Sequence, residues 1–129
     1  RAILIDCHSM PSSSLGRDES ANADFVLGDR FGTACSEALT QGFEAQLRAR
    51  GYKVVRNKPY AGGFITEHYG EPNLNRHTLQ IEINRALYMN ESSLAMTCGF
   101  DTLRQTLTDV VAAVAAEVVD APPHRIAAE

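Results

Sequence analysis

Cysteine is scarce in this chain, and the three present, Cys7, Cys35 and Cys98, show no CxxC spacing. An odd number without that spacing suits reduced thiols packed as small core residues better than a disulfide framework or a structural zinc site. Long hydrophobic runs are also lacking. The longest, Val110 to Val119, is interrupted by Glu117, well short of the roughly 20 apolar residues a membrane span requires. Lys and Arg number 12 against 16 Asp and Glu, a net charge of -4, and they cluster nowhere. Without a basic stripe, nucleic acid is not an expected partner. No charged and apolar leader is visible, since Arg1 is followed at once by the strand-like Ala2 to Ile5; a cytoplasmic location is expected. Internal repeats and low-complexity segments are absent.

What remains is a chain of 129 residues, 44% of them apolar, enough for one hydrophobic core and too little for two. It opens without Met inside a buried-looking strand, so the expected unit is an incomplete domain. Ala2-Ile3-Leu4-Ile5-Asp6 is a continuous apolar run of the kind that forms a parallel strand covered on both faces, with Cys7 to Met10 at its carboxyl end. Pro11 to Asp24, rich in Ser, Asp, Asn and Gly, reads as a long surface loop. From Thr33 to Arg50, Cys35, Leu39, Phe43 and Leu47 recur at four-residue spacing and Gly51 supplies a left-handed cap, which predicts a helix. Tyr52 to Asn57 reads as a strand, Pro59 to Pro72 as an irregular glycine-rich loop, and Leu79 to Asn84 as a third strand. Asp101 is a plausible N-cap for a final helix whose apolar stripe is Leu103, Leu107, Val111, Val114 and Val118, ended by Pro122-Pro123. Strands alternating with helices predict an α/β fold: a mixed, mostly parallel sheet with flanking helices. Three strands and two helices leave an edge and a face uncovered, so the expected partner is a missing N-terminal portion or a second copy.

Two strand features carry candidate chemistry. Asp6 and His8, two residues apart, share a side of an extended strand, where an imidazole can bind metal and a carboxylate can orient it; a hydrogen-bonded His without metal is the alternative. Cys7 points to the opposite side and is not expected to act as a nucleophile with His8. Glu82 lies in the third strand with Gln80 and Asn84 on its side. These three polar residues fit either a solvated edge-strand face or a water-activating base near an anion-binding Arg85.

Four blocks then occur in order: Ile5-Asp6-Cys7-His8-Ser9-Met10-Pro11, Gly28-Asp29-Arg30-Phe31-Gly32, Asn57-Lys58-Pro59-Tyr60-Ala61-Gly62-Gly63-Phe64-Ile65-Thr66, and Leu79-Gln80-Ile81-Glu82-Ile83-Asn84-Arg85-Ala86-Leu87-Tyr88-Met89. In these blocks the chain resembles the N-formylglutamate amidohydrolase family, from about its first residue to Asn90. The resemblance implies a zinc carboxypeptidase-like fold, with this chain as the C-terminal portion of a single domain. It also implies zinc-dependent hydrolysis of N-formyl-L-glutamate to formate and L-glutamate, in histidine degradation. By the same resemblance His8 is a zinc ligand and Glu82 deprotonates the attacking water and returns the proton to the leaving nitrogen; Asp6, from its spacing to His8, is the carboxylate expected to orient that ring.

Arg85 and Arg30 are candidates to hold the substrate carboxylates, because guanidinium pairs with carboxylate bidentately; surface ion pairs are the alternative for each. His68 and His77 contact substrate or oxyanion, or serve structure. His124 is expected in solvent. The resemblance further implies a histidine and a glutamate ligand upstream of the Asp-x-His-Ser strand, which this chain does not carry, and a zinc site needs about three protein ligands. Two other functions stay open: hydrolysis of another N-acyl amino acid or small peptide, and a non-catalytic remnant or binding module.

Overall fold

The computed structural model describes residues 1–15 and 22–120, with side chains described through Glu117. The expected loop from Pro11 to Asp24 falls partly outside these residues, as do Pro122-Pro123 and His124. Elements follow in the order β1 (Ala2–Met10), β2 (Phe25–Gly28), α1 (Glu37–Ala49), β3 (Val54–Arg56), α2 (Phe64–Tyr69), β4 (Arg76–Asn84) and α3 (Gly99–Asp120). Among the described residues no helix is long and apolar enough to cross a membrane.

The four strands form one mixed sheet in the order β1-β4-β2-β3. β1 runs parallel to β4 from Ala2↔Arg76 to Met10↔Asn84, β2 parallel to β3, and β2 antiparallel to β4. The expected α/β class with flanking helices is therefore found, and the β2-α1-β3 segment is a complete parallel crossover unit.

Alternation in β4 sorts the two sides of the sheet. Leu79, Ile81 and Ile83 join Phe25, Leu27 and Val54 in a core completed by Leu39, Phe43 and Leu47 of α1 and Leu103, Val110 and Val114 of α3. Gln80, Glu82 and Asn84 point to the opposite side, where α2 packs against β4. Gly51 does supply the left-handed cap of α1, with φ of +88° and its N–H bonded to Arg48 O at 2.9 Å.

Several expectations are corrected. β1 is not covered on both faces: it is an edge strand, and Ile3 and Leu4 remain 36% and 42% exposed. It also extends through Met10, because β4 offers it nine register partners, so His8 lies within the strand and not beyond its end. β2, a four-residue run that is wholly buried, has no counterpart among the expected strands, and α2 lies within the segment expected to be irregular. The first helix begins at Glu37, not Thr33, and the last at Gly99. Val111 is 44% exposed while Val110 is buried, since the two successive four-residue steps from Leu103 through Leu107 to Val111 overrun a 3.6-residue repeat.

Candidate active site

His8 and Glu82 are register partners on adjacent parallel strands, so their side chains rise side by side from one face. The His8 imidazole sits between two carboxylates, Nε2 at 3.2 Å from Asp6 Oδ1 and Nδ1 at 3.5 Å from Glu82 Oε1. Its side chain is 48% exposed, against 7% for Glu82 and 15% for Asp6. The cluster thus has a dry floor and a solvent-facing imidazole. β4 is a central strand, so the solvated edge-strand alternative for Gln80, Glu82 and Asn84 is excluded: all three are buried.

Burying a carboxylate is costly unless donors satisfy it. Gln80 Nε2 donates to Glu82 Oε1 at 2.8 Å, and the Gln80 carbonyl accepts from the Gly63 backbone N–H at 2.7 Å. Gly63 belongs to a loop pressed onto the sheet where β2 ends. A Cβ at Gly28 would lie 2.6 Å from Gly62 N and 2.7 Å from Ala61 C, so glycine alone allows that approach. In the sequence Gln80 is legible only as a polar neighbour of Glu82, through its i, i+2 placement.

Arg30 adopts φ of +56° and is fixed by its N–H to Ala61 O at 2.8 Å, while its guanidinium meets Gly62 O at 3.5 Å and Glu67 at 3.2 Å. Asn57 shapes the same turn, donating from Nδ2 to Asp29 Oδ1 at 2.8 Å and accepting from Asp29 N–H at 3.1 Å. Arg85 bonds Ser9 Oγ through Nε at 3.2 Å. Ser9 alternates with His8 along β1, so this arginine is held toward the other side of the sheet. The structure brings Asp6, His8 and Glu82 together; it places Arg30 beside the glycine loop and Arg85 apart from the cluster.

His77 serves structure: it is buried, and its Nδ1 accepts from the Ser36 N–H at 3.2 Å at the start of α1. Burial, with the charge of Arg1 secondary, lowers its pKa. His68 stacks on Phe64 at 5.0 Å within α2. The Cys7 thiol has its pKa raised by partial burial and by Asp6, which disfavours the thiolate a nucleophile needs.

The donor set fits a metal only in part. Two carboxylates face one imidazole, and Asp6 Oδ2 is buried without a hydrogen-bond partner, so the cluster suits added positive charge. Yet both ring nitrogens already face carboxylates, and among the described residues no three His, Cys, Asp or Glu side chains converge as a metal site. His8 is a fitting single donor, and the described residues do not complete a zinc site.

Residues 1–89 match the family model described as N-formylglutamate amidohydrolase. The chain belongs to the N-formylglutamate amidohydrolase family. Similar family members include an N-formylglutamate deformylase of Pseudomonas aeruginosa, 38% identical over 93 residues, which are 71% of this chain and 35% of that protein. A second, from Pseudomonas putida, is 35% identical over 92 residues, 70% of this chain and 34% of that protein. The crystal structure of an N-formylglutamate amidohydrolase from Ralstonia eutropha matches with a TM-score of 0.84 and 40% identity, over 91% of this chain and 44% of that one. The chain spans about a third of the curated relatives' length. The family match contains β1, α2 and β4 entire and ends before α3, so all the clustered polar residues lie inside it.

Proposed function

We propose that this chain supplies the base-bearing half of a site that hydrolyses the formyl amide of N-formyl-L-glutamate to formate and L-glutamate. The observation that carries the reading is Glu82: a carboxylate buried on a central strand, anchored by an amide and set against a solvent-facing imidazole, in a chain of this family. Such a group is positioned for general-base work. Glu82 takes a proton from water as its oxygen attacks the formyl carbon, and the same carboxyl returns the proton to the leaving nitrogen as the C–N bond breaks. Gln80 and His8 both contact Oε1, so the other oxygen, Oε2, is the one left to receive the proton.

The reading extends, on the family resemblance, to zinc dependence, histidine breakdown and a cytoplasmic setting. His8 would be one zinc ligand, with Asp6 holding its ring, and further ligands would come from outside the described residues. Bound zinc supplies Lewis acidity, polarising a carbonyl and acidifying water. Arg30 and Arg85 remain the proposed holders of the substrate carboxylates. For that, Arg30 exchanges Glu67 for substrate and Arg85 turns from Ser9 past the end of β1.

The test is turnover of N-formyl-L-glutamate by the full-length protein, beside a panel of other N-formyl and N-acetyl amino acids, with formate release measured. Preferential N-formylglutamate turnover that disappears in Glu82→Gln is expected. A preference for another acyl amino acid would move the substrate assignment, and absence of turnover with metal supplied would favour a binding module.

A further inference from the structure

We infer that Gln80 is a positioning residue that couples the Ala61–Gly63 loop to Glu82, an inference that rests on the reading of Glu82 as the base. Gln80 is 4% exposed and spends both ends of its amide. Its carbonyl receives the Gly63 N–H at 2.7 Å, and its NH2 faces Glu82 Oε1 at 2.8 Å. Because a backbone N–H can only donate, the carbonyl end must face Gly63 and the NH2 end must face the carboxylate. The orientation of the amide is dictated by the loop. The loop itself is held from three sides: Arg30 N–H to Ala61 O, the Arg30 guanidinium to Gly62 O and Glu67, and close packing over Gly28. Loop position is therefore transmitted to one oxygen of Glu82 through a single buried side chain.

The two ends of Gln80 can be separated by mutation. Gln80→Glu keeps an acceptor for Gly63 but cannot donate as an amide does and sets a second negative charge beside Glu82. Gln80→Leu removes both bonds. The expected result for Gln80→Glu is a fall in kcat of roughly 10- to 100-fold, the worth of a hydrogen bond to a charged group. KM should stay near normal and the Gly63 amide should remain protected from exchange. Gln80→Leu should lower kcat, raise KM and lose that protection. Normal kcat in Gln80→Glu with a defect only in Gln80→Leu would reduce Gln80 to a loop anchor and overturn the inference. A readout on the unsubstituted protein covers variants that fail to fold: the Gln80 side-chain NH2 signals should be shifted and slow to exchange by NMR, and a freely exchanging pair would also overturn it. Glu82→Gln assayed alongside separates the two failures. Should it retain kcat, the base assignment falls; should it lose kcat while Gln80→Glu does not, only the coupling falls.

Discussion

The imidazole of His8 and the carboxylate of Glu82 face each other across the β1–β4 ladder, Nδ1 to Oε1 at 3.5 Å, the first half exposed and the second buried. The parallel register sets their backbones side by side, and the Gln80 bridge from Gly63 holds one oxygen of the Glu82 carboxylate.

The proposed roles, His8 as a zinc ligand and Glu82 as the base, fail differently on replacement. If zinc is bound in the full-length protein as proposed, His8→Ala should remove it and activity together, read by metal analysis and formate release. Glu82→Gln preserves shape but cannot accept the proton, so it should keep zinc and substrate affinity and lose kcat by roughly 10²–10⁴-fold. Loss of zinc in Glu82→Gln would make Glu82 a ligand.

Gly28→Ala should be destabilising although it adds one methyl group. Its Cβ would meet backbone atoms at 2.6–2.7 Å, and backbone yields less readily than a side-chain tip; the cost expected for such overpacking is about 1–3 kcal/mol. Urea denaturation measures it. An unchanged midpoint would show that the glycine loop is not pressed on the sheet as described.

The three thiols should react unequally. Cys35 is buried, and burial, its largest cause, raises its pKa to about 11. At pH 8 only roughly one Cys35 in a thousand is then thiolate, the reactive form. Iodoacetamide followed by mass spectrometry should label the exposed Cys98 first and Cys35 only after unfolding. Early modification of Cys35 would contradict its place in the core.

Acid should weaken the fold through His77. Its folded pKa is depressed, chiefly by burial, so the unfolded chain binds the proton more readily. The corresponding stability is fully present above the unfolded value of about 6.5 and is lost as pH falls through the folded pKa. His77→Asn retains an acceptor for the Ser36 N–H but does not titrate. Chemical denaturation at pH 7.5 and pH 5.5 should show a smaller pH effect in the variant; equal effects would assign the acid sensitivity elsewhere.

The β1 edge should be adhesive when this chain is studied alone, because a nine-residue edge strand bearing exposed Ile3 and Leu4 offers unpaired backbone and apolar surface. Light scattering should show concentration-dependent association that Ile3→Lys reduces. A monomer at all concentrations, without binding of a hydrophobic dye, would refute this.

Local pattern was enough to read β1, β3, β4, α1 and α3 from the chain, since each carries its own periodicity or continuous apolar run, and enough to pair Asp6 with His8, whose spacing of two is a property of one strand. Resemblance in four ordered blocks placed Glu82 in the same site. Strand order was not legible, because it depends on contacts between segments far apart in sequence. That order makes β1 an edge and β4 central, and so decides that Ile3 and Leu4 are exposed while Gln80, Glu82 and Asn84 are buried. It also decides that Arg85 is drawn to Ser9, that Arg30 joins the glycine loop, and that an apparently ordinary glutamine links Gly63 to Glu82. A polar side chain on a strand looks the same in sequence whether water or a carboxylate faces it; only the packing of α2 and its loop onto β4 removes the water and leaves Gln80 with two protein partners.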